Sequence, residues 1–388
     1  MTLVGLDVLV LGGGIAGLAA ARALALRGAR VRVLEQATAL AEVGAGIQVS
    51  PNAGRVLEAL GLGAEFEAVS DESRGVRMRE AARGREIAFV PYAGRGRFAN
   101  VHRADLLAVL ERGAREAGVE ITLGCRVEEV RPGGAVVTEA GEVLEAGLVV
   151  GADGLHSRAR RALLGAEAPE FTHQIAWRAL IEAEEEMPPE AQLFLAPGRH
   201  LVAYPLRGQR LVNLVACEEQ ADWAEEGWQV AGDPEAFRAA FAGFGGPVPG
   251  WLARVERVRR WGLFRHGVAA RWHRERLVIL GDAAHSTLPY LAQGAAMGLE
   301  DAWVLAAELA GAESLEAGLA AFQAARGARC ARIVAAATAN ARNYHLPVGP
   351  KRWAAHLALR TASRFAPGVL PGRFDWLWGE DVTSGGWG

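Results

Sequence analysis

The sequence predicts an α/β fold: a parallel-sheet domain, a β-sheet domain inserted into it, and a C-terminal helical segment. Three observations carry this. A glycine-rich turn joins a buried strand to a helix near the N-terminus; two further strand-to-turn elements lie downstream at 148–160 and 276–298; and short β-type runs fill much of 169–261. With 388 residues the chain exceeds the size at which one hydrophobic core stops growing, so two closely packed domains are expected.

The first element begins with Asp7-Val-Leu-Val-Leu11, an apolar run of the kind buried on both faces in a parallel sheet. Gly12, Gly13 and Gly14 follow, then Ile15, Ala16, Gly17 and an Ala/Leu-rich helix to about Arg27, closed by Gly28. A second strand, Arg30–Leu34, leads into Glu35. This is G-x-G-x-x-G between strand and helix, with an acid 35 − 12 = 23 residues on. Dinucleotide sites use that arrangement because glycines let a pyrophosphate approach the backbone and the helix N-terminus offers partial positive charge. Gly12, Gly14, Ala16, Gly17 and Glu35 are therefore candidate cofactor contacts in a Rossmann-like unit. Glu35 accepts from a ribose hydroxyl and disfavours a 2′-phosphate, which leaves FAD or NAD.

The second element is the strand Leu148–Gly151 with Ala152, Asp153 and Gly154, then Ser157 to Arg160 opening a helix. In the third, the strand Arg276–Leu280 ends in Gly281-Asp282-Ala-Ala-His285 and runs through Pro289 to Gly294 and the helix Leu299–Leu309. Asp282, at a strand end, suits a ribityl or ribose hydroxyl. Gly294 and Ala295, at a helix start, suit the pyrimidine edge of a flavin. Taken with Gly44-Ala-Gly-Ile-Gln-Val-Ser-Pro-Asn52, Val101-His-Arg103-Ala-Asp105 and Phe374-Asp-Trp-Leu-Trp378, the sequence resembles the single-component FAD-dependent aromatic hydroxylases of the p-hydroxybenzoate hydroxylase fold. It looks most like the branch of salicylate hydroxylase, 3-hydroxybenzoate 6-hydroxylase and 6-hydroxynicotinate 3-monooxygenase. The resemblance adds Gly46 and Arg103 to the FAD contacts, gives Asp153 to an element shared by FAD and nicotinamide binding, and lays Pro289 against the flavin ring. It implies a tightly but non-covalently bound FAD, with NADH or NADPH as a transient co-substrate. One departure is Ser286, where the family reads proline, and a looser loop is expected there.

The division implied is an FAD-binding domain over 1–73, 98–168 and 262–312, a substrate domain over 74–97 and 169–261, and a C-terminal helical region over 313–388. In Arg199–Leu206 the strand alternation puts His200, Val202 and Tyr204 on one face, with His200 and Tyr204 about 13 Å apart at Cα. One aromatic ring fits in that span. Histidine can take a phenolic proton near neutral pH, and tyrosine can hydrogen-bond a ring substituent. The resembled branch lines its substrate with this pair. His200, Tyr204 and Pro289 are thus the catalytic candidates; Gln48, in the loop after the second strand, Trp177 and Arg178 are pocket candidates, Arg178 for a carboxylate.

Composition narrows the partners. Lys plus Arg total 42 against 45 acids, net −3, so a binder that neutralises many phosphates is not expected. Since Lys351 is the only lysine, 42 − 1 = 41 of the bases are arginine, a bias read as coding drift. Cys125, Cys217 and Cys330 form neither a disulfide framework nor a metal motif, and read as core thiols of a cytoplasmic protein. No metal and no membrane span are expected, and monomer and homodimer both stay open. The function implied is a monooxygenase that uses NAD(P)H and dioxygen to hydroxylate a small hydroxylated aromatic through a flavin hydroperoxide. A hydroxylase of larger polyketide or tetracycline-type substrates shares the cofactor motifs and stands as the alternative. A flavin halogenase lacks its tryptophan motif here, and a nicotinamide dehydrogenase leaves the Gly-Asp segment unexplained.

Overall fold

The computed structural model describes residues 1–40, 46–223 and 231–385. Gly44 and Ala45 of the quoted N-terminal motif, part of the long insertion and the last three residues lie outside that range. The apolar runs at 7–11, 30–34, 148–151 and 277–279 come together in one six-stranded sheet, ordered His273–Arg274, Leu277–Ile279, Leu148–Gly151, Asp7–Leu11, Arg30–Leu34, Glu120–Thr122. All of its pairings are parallel except the edge pair His273–Arg274 with Leu277–Ile279. Helices Ile15–Ala25 and Gly294–Gly311 pack on each other beside it, burying nearly every apolar side chain between them. The second helix starts at Gly294, five residues ahead of the sequence estimate.

A second sheet has eight strands: Ala231–Gly232, Val258–Arg265, Glu170–Glu182, Leu211–Glu219, Arg199–Leu206, Ala191–Ala196, Gly75–Glu80 and Glu86–Pro91. The hairpin at 75–91 joins it by parallel pairing of Gly75–Glu80 with Ala191–Ala196. Its two faces differ in purpose. One face, with Trp177, Leu201, Ala203, Leu214 and Ala216, packs under the short helices Pro234–Ala240 and Val248–Ala253 and forms a closed core with Phe237, Phe241 and Trp251. The other face turns toward the parallel-sheet layer and the C-terminal helices. Residues 315–378 are helical, as Leu315–Tyr344, Pro350–Phe365, Val369–Gly372 and Asp375–Trp378, with Pro350 at a helix start where its missing N–H costs nothing. Trp378 returns to pack edge-on against Tyr92 and Phe98. Among the described residues no helix is long and apolar enough to cross a membrane.

The closed core rests on the stack of Trp177 on Phe237, ring centroids 5.3 Å apart. Phe237→Ala is expected to destabilise the protein by about 3–5 kcal/mol, read from urea unfolding at pH 7, because it empties a volume that cannot collapse.

Candidate active site

The N-terminal turn is shaped by its glycines, each for a different reason. Gly12 has φ +102, and a Cβ there would lie 2.5 Å from the Ala152 carbonyl oxygen. A Cβ on Gly17 would strike the Gly12 carbonyl, so Gly17 permits helix and strand to touch. Gly14 borders open space on the side where its Cβ would stand, at the start of Ile15–Ala25. That opening is what a pyrophosphate needs to reach the helix N-terminus. Ala16 lies under Gly281 and Gly298, with hypothetical Cβ atoms 3.0 and 2.8 Å from its own, so it fits one helix onto the Gly-Asp turn. Glu35 receives the Gly13 amide at 2.6 Å and the Ala37 amide at 2.7 Å, and these bonds fix its carboxylate in place at the end of its strand.

The two downstream motifs meet. Asp153 caps the helix Arg158–Leu164, accepting from the Ser157 hydroxyl and from the amides of Arg158 and Ala159 at 2.7 and 3.2 Å. Arg160 on that helix donates to the carbonyls of Ala283 and Gly267, both at 3.1 Å, and so clamps the Gly-Asp segment. Ser286 tightens this loop rather than loosening it: its hydroxyl accepts the His266 amide at 2.9 Å, a bond the family's proline could not make. Asp282 starts a short helix with its side chain open to solvent, yet protein surrounds it closely enough that desolvation raises its pKa against the pull of His285 and Arg103. An acid both accessible and crowded, with Arg103 near enough to act on it, suits the wall of a cleft. Gly294 and Ala295 form the first turn of the 18-residue helix Gly294–Gly311 nearby.

Beneath this turn lies a buried ionic network. Asp301 receives the Gly281 amide at 3.0 Å, His285 Nε2 at 2.5 Å and Arg326 Nε at 2.8 Å. Glu300 beside it pairs with Arg326 and Arg329, both at 2.7 Å, and accepts from Asn52 at 2.6 Å. Burial works to raise the Asp301 pKa, but His285 and Arg326 outweigh it and hold the carboxyl down at about 2. Burial likewise opposes the charge on His285, and Asp301 overcomes it, raising the imidazole well above its usual value. His285, Asp301 and Cys330 could geometrically hold a cation, but Arg326 already supplies the positive charge there.

The inner face of the eight-stranded sheet forms the opposite wall. His200, Tyr204, Arg178, Cys217 and Asn213 all project from it, with His200 opposite Cys217 and Tyr204 opposite Asn213. Tyr204 packs on Gly46, where a Cβ would meet its ring at 2.6 Å, and Asn213 accepts the Gly46 amide at 2.8 Å. Burial pushes the Tyr204 phenol up to about 12 despite the counteracting Arg178. Burial also lowers the Arg178 pKa; its Nε is buried without a hydrogen-bond partner, and its guanidinium lies 5.5 Å from the Trp261 ring. Arg103, on the first turn of Arg103–Glu116, is drawn down to about 10 by burial and by Arg178, with Asp282 opposing. His200 sits at the far end among Tyr290, Tyr344 and His345. Pro289, exposed, begins the turn Pro289–Leu291 that carries Tyr290.

The residues present therefore suit an FAD: an open glycine cradle, an acid at the end of the second strand, and an accessible aspartate and helix N-terminus in the cleft. A family model described as FAD binding domain matches residues 5–340. The chain belongs to that family. This flavoprotein is 33% identical to 3-amino-4-hydroxybenzoate 2-monooxygenase of Streptomyces platensis, over 98% of its own chain and 97% of the relative. It is 33% identical to 3-hydroxybenzoate 6-hydroxylase of Klebsiella oxytoca, with 96% of each chain covered. Its fold matches that of Klebsiella pneumoniae HpxO complexed with FAD and uric acid, TM-score 0.83 at 26% identity over 95% of this chain and 96% of that one. A salicylate hydroxylase substrate complex shares the fold, TM-score 0.80 at 24% identity over 97% of this chain and 96% of that one. The flavoprotein is an FAD-dependent monooxygenase of the aromatic hydroxylase type. When bound, FAD supplies hydride acceptance and oxygen activation.

Of the sequence-derived candidates, Trp177 does not join the others. It is 2% exposed, faces the closed core, and donates its Nε1 proton to Glu218 at 2.9 Å. The reason is strand alternation: Arg178 faces inward, so its neighbour cannot. Gln48 lies on the strand Gly46–Val49 rather than in a loop, and donates weakly to Asn100 at 3.4 Å. Sequence reading missed Asn213, Tyr290, Tyr344 and His345, and took Cys217 for an ordinary core thiol. Strand parity alone would have placed Asn213 and Cys217 together; their pairing with Tyr204 and His200 needs the register, which is non-local.

Asp301→Asn is expected to cost about 3–5 kcal/mol near neutral pH, because it leaves His285 without a charge partner and Arg326 with Glu300 alone. The folded-state pKa of Asp301 is depressed, so its contribution is present above the unfolded value of 3.8 and fades as pH falls toward 2. The gap between parent and variant in urea unfolding should accordingly narrow below about pH 4.

Proposed function

We propose that this monooxygenase hydroxylates a small aromatic acid that already bears a ring hydroxyl, using NADH or NADPH and dioxygen. One observation carries the reading. A single sheet face presents Arg178, a half-buried guanidinium whose Nε is buried and which has no acidic partner among the described residues, together with Tyr204 and His200. Arg178 binds the substrate carboxylate, since a desolvated guanidinium with an unpaired Nε gains from a planar anion. Tyr204 stays protonated at neutral pH and donates to a ring substituent. His200 takes the ring hydroxyl proton: burial and His345 hold its pKa well below the usual value, so it is neutral, with a ring nitrogen lone pair free, before the substrate arrives. Removing that proton enriches the ring, and only an electron-rich ring attacks activated oxygen readily. The sheet, sealed on its outer side by the packed core, helps keep water from the reacting atoms. The relatives' names, aminohydroxybenzoate and hydroxybenzoate hydroxylases, support this substrate class.

In the first test, NADH oxidation by the purified yellow protein is followed with and without 3-hydroxybenzoate, salicylate, 6-hydroxynicotinate or 3-amino-4-hydroxybenzoate. Acceleration by at least one of them is expected, and colourless protein or indifference to all four would refute the reading. Arg178→Met should raise KM for the carboxylated substrate by roughly 30-fold or more, from a lost charge-assisted pair of about 2 kcal/mol, while FAD content holds. His200→Ala should keep FAD and NADH oxidation but uncouple them from hydroxylation, with hydrogen peroxide appearing in place of product.

A further inference from the structure

We infer that His345 and Glu219 form a proton relay that connects His200 to solvent. The inference rests on the reading of His200 as the group that takes the substrate proton. Its basis is a short chain of side chains with one buried end and one wet end. His200, 4% exposed, has its Nδ1 2.8 Å from Nε2 of His345. The other nitrogen of His345, Nδ1, is 3.2 Å from Oε1 of Glu219. The His345 side chain is 1% exposed and that of Glu219 57% exposed, so the chain reaches the surface in two contacts. With Nδ1 engaged, His200 keeps Nε2 for the substrate.

Among the described residues, the groups around His200 favour this exit for the proton. The groups facing His200 are Cys217 and Glu219 from Leu211–Glu219, Tyr290 from Pro289–Leu291, Tyr344 from Leu315–Tyr344, and His345 just beyond it. Arg199 stands beside it on its own strand, Arg178 acts on Cys217, and Arg352 donates to Leu195, the residue paired with His200 on the other side. Burial pushes the Cys217 thiol up to about 12, and the Tyr344 phenol to about 12, with Tyr290 higher still. All three keep their protons at neutral pH, so none of them offers an ionised acceptor. Tyr290 also spends its hydroxyl on Gln174. His345 is lowered by burial, with Glu219 opposing and Arg199 assisting, so it holds a proton only in transit.

The transfer balances without a co-reactant. The substrate O–H breaks as Nε2 of His200 gains a proton; its Nδ1–H passes to Nε2 of His345; the Nδ1–H of His345 passes to Glu219 and then to water. Each imidazole keeps its proton count and exchanges its tautomer. The reverse sequence, when the product hydroxyl is reprotonated, restores both.

The test mixes the FAD-loaded enzyme rapidly with 3-hydroxybenzoate in weakly buffered solution containing a pH indicator dye, and records proton release on binding beside the phenolate absorbance. Wild type should release a proton as the substrate binds. Glu219→Gln, a surface change that leaves packing intact, should slow release roughly tenfold or more, and His345→Asn further, with added imidazole buffer restoring part of the rate. FAD content should not change in either. Release at the wild-type rate in Glu219→Gln overturns the relay while leaving the hydroxylase reading standing, and this variant decides the matter even if His345→Asn fails to fold. A wild type that neither binds the hydroxylated aromatics nor releases a proton overturns both.

Discussion

Two adjacent carboxylates, Glu300 and Asp301, are buried without exposure to water, and much of the molecule follows from how they are neutralised. Ions in such a place stand only if their partners are well placed and their remaining lone pairs are filled. Arg326 serves both, Arg329 and Asn52 complete Glu300, and His285 with the Gly281 amide complete Asp301. The network thereby ties together three segments distant in sequence: the start of the helix at Pro51–Ala59, the Gly-Asp turn, and the long helix Leu315–Tyr344. Those segments border the cleft, so its shape is fixed by charge pairing as much as by apolar packing. The adjacent residue Asp282, in contrast, is left accessible, and the pair of neighbours at 300–301 explains how one loop can be rigid below and open above.

The eight-stranded sheet divides labour by parity. Its outer residues, Trp177, Leu201, Ala203, Leu214 and Ala216, close a core with two short helices, while Arg178, His200, Tyr204, Asn213 and Cys217 hold polar chemistry within. A single-residue register slip would exchange these sets, placing an arginine in the core and a tryptophan at the site. Packing on the outer face is therefore what keeps the inner face correct. Gly46 adds a second constraint, because only glycine lets its strand approach Tyr204 and Asn213 so closely.

The parallel sheet and its three turn motifs were legible from local pattern, since strand, glycine turn and helix follow one another within 30 residues and each carries its own chemical signature. His200 and Tyr204 were placed on one face by alternation alone. Trp177 was placed in the pocket beside Arg178, although neighbours on a strand face opposite sides. Ser286 was read as a gap where proline is usual, whereas its hydroxyl found a donor, His266, twenty residues away. Glu300, Asp301 and Arg326 gave no signal at all, for charged residues on an Ala-rich helix look like a solvated face until tertiary packing buries them. His345 is silent for the same reason: its partner His200 is 145 residues earlier.

The pairing order of the sheets has a consequence for how the protein is made. Asp7–Leu11 gains one neighbour when Arg30–Leu34 emerges, the next only with Leu148–Gly151, and the sheet is extended again by Leu277–Ile279. Gly75–Glu80 likewise waits for Ala191–Ala196. Such long-range parallel pairing is slow and leaves strand edges uncovered during synthesis. The nascent chain thus carries uncovered strand edges until more than two thirds of it has left the ribosome, a stage of aggregation risk that the finished, tightly pinned enzyme no longer has.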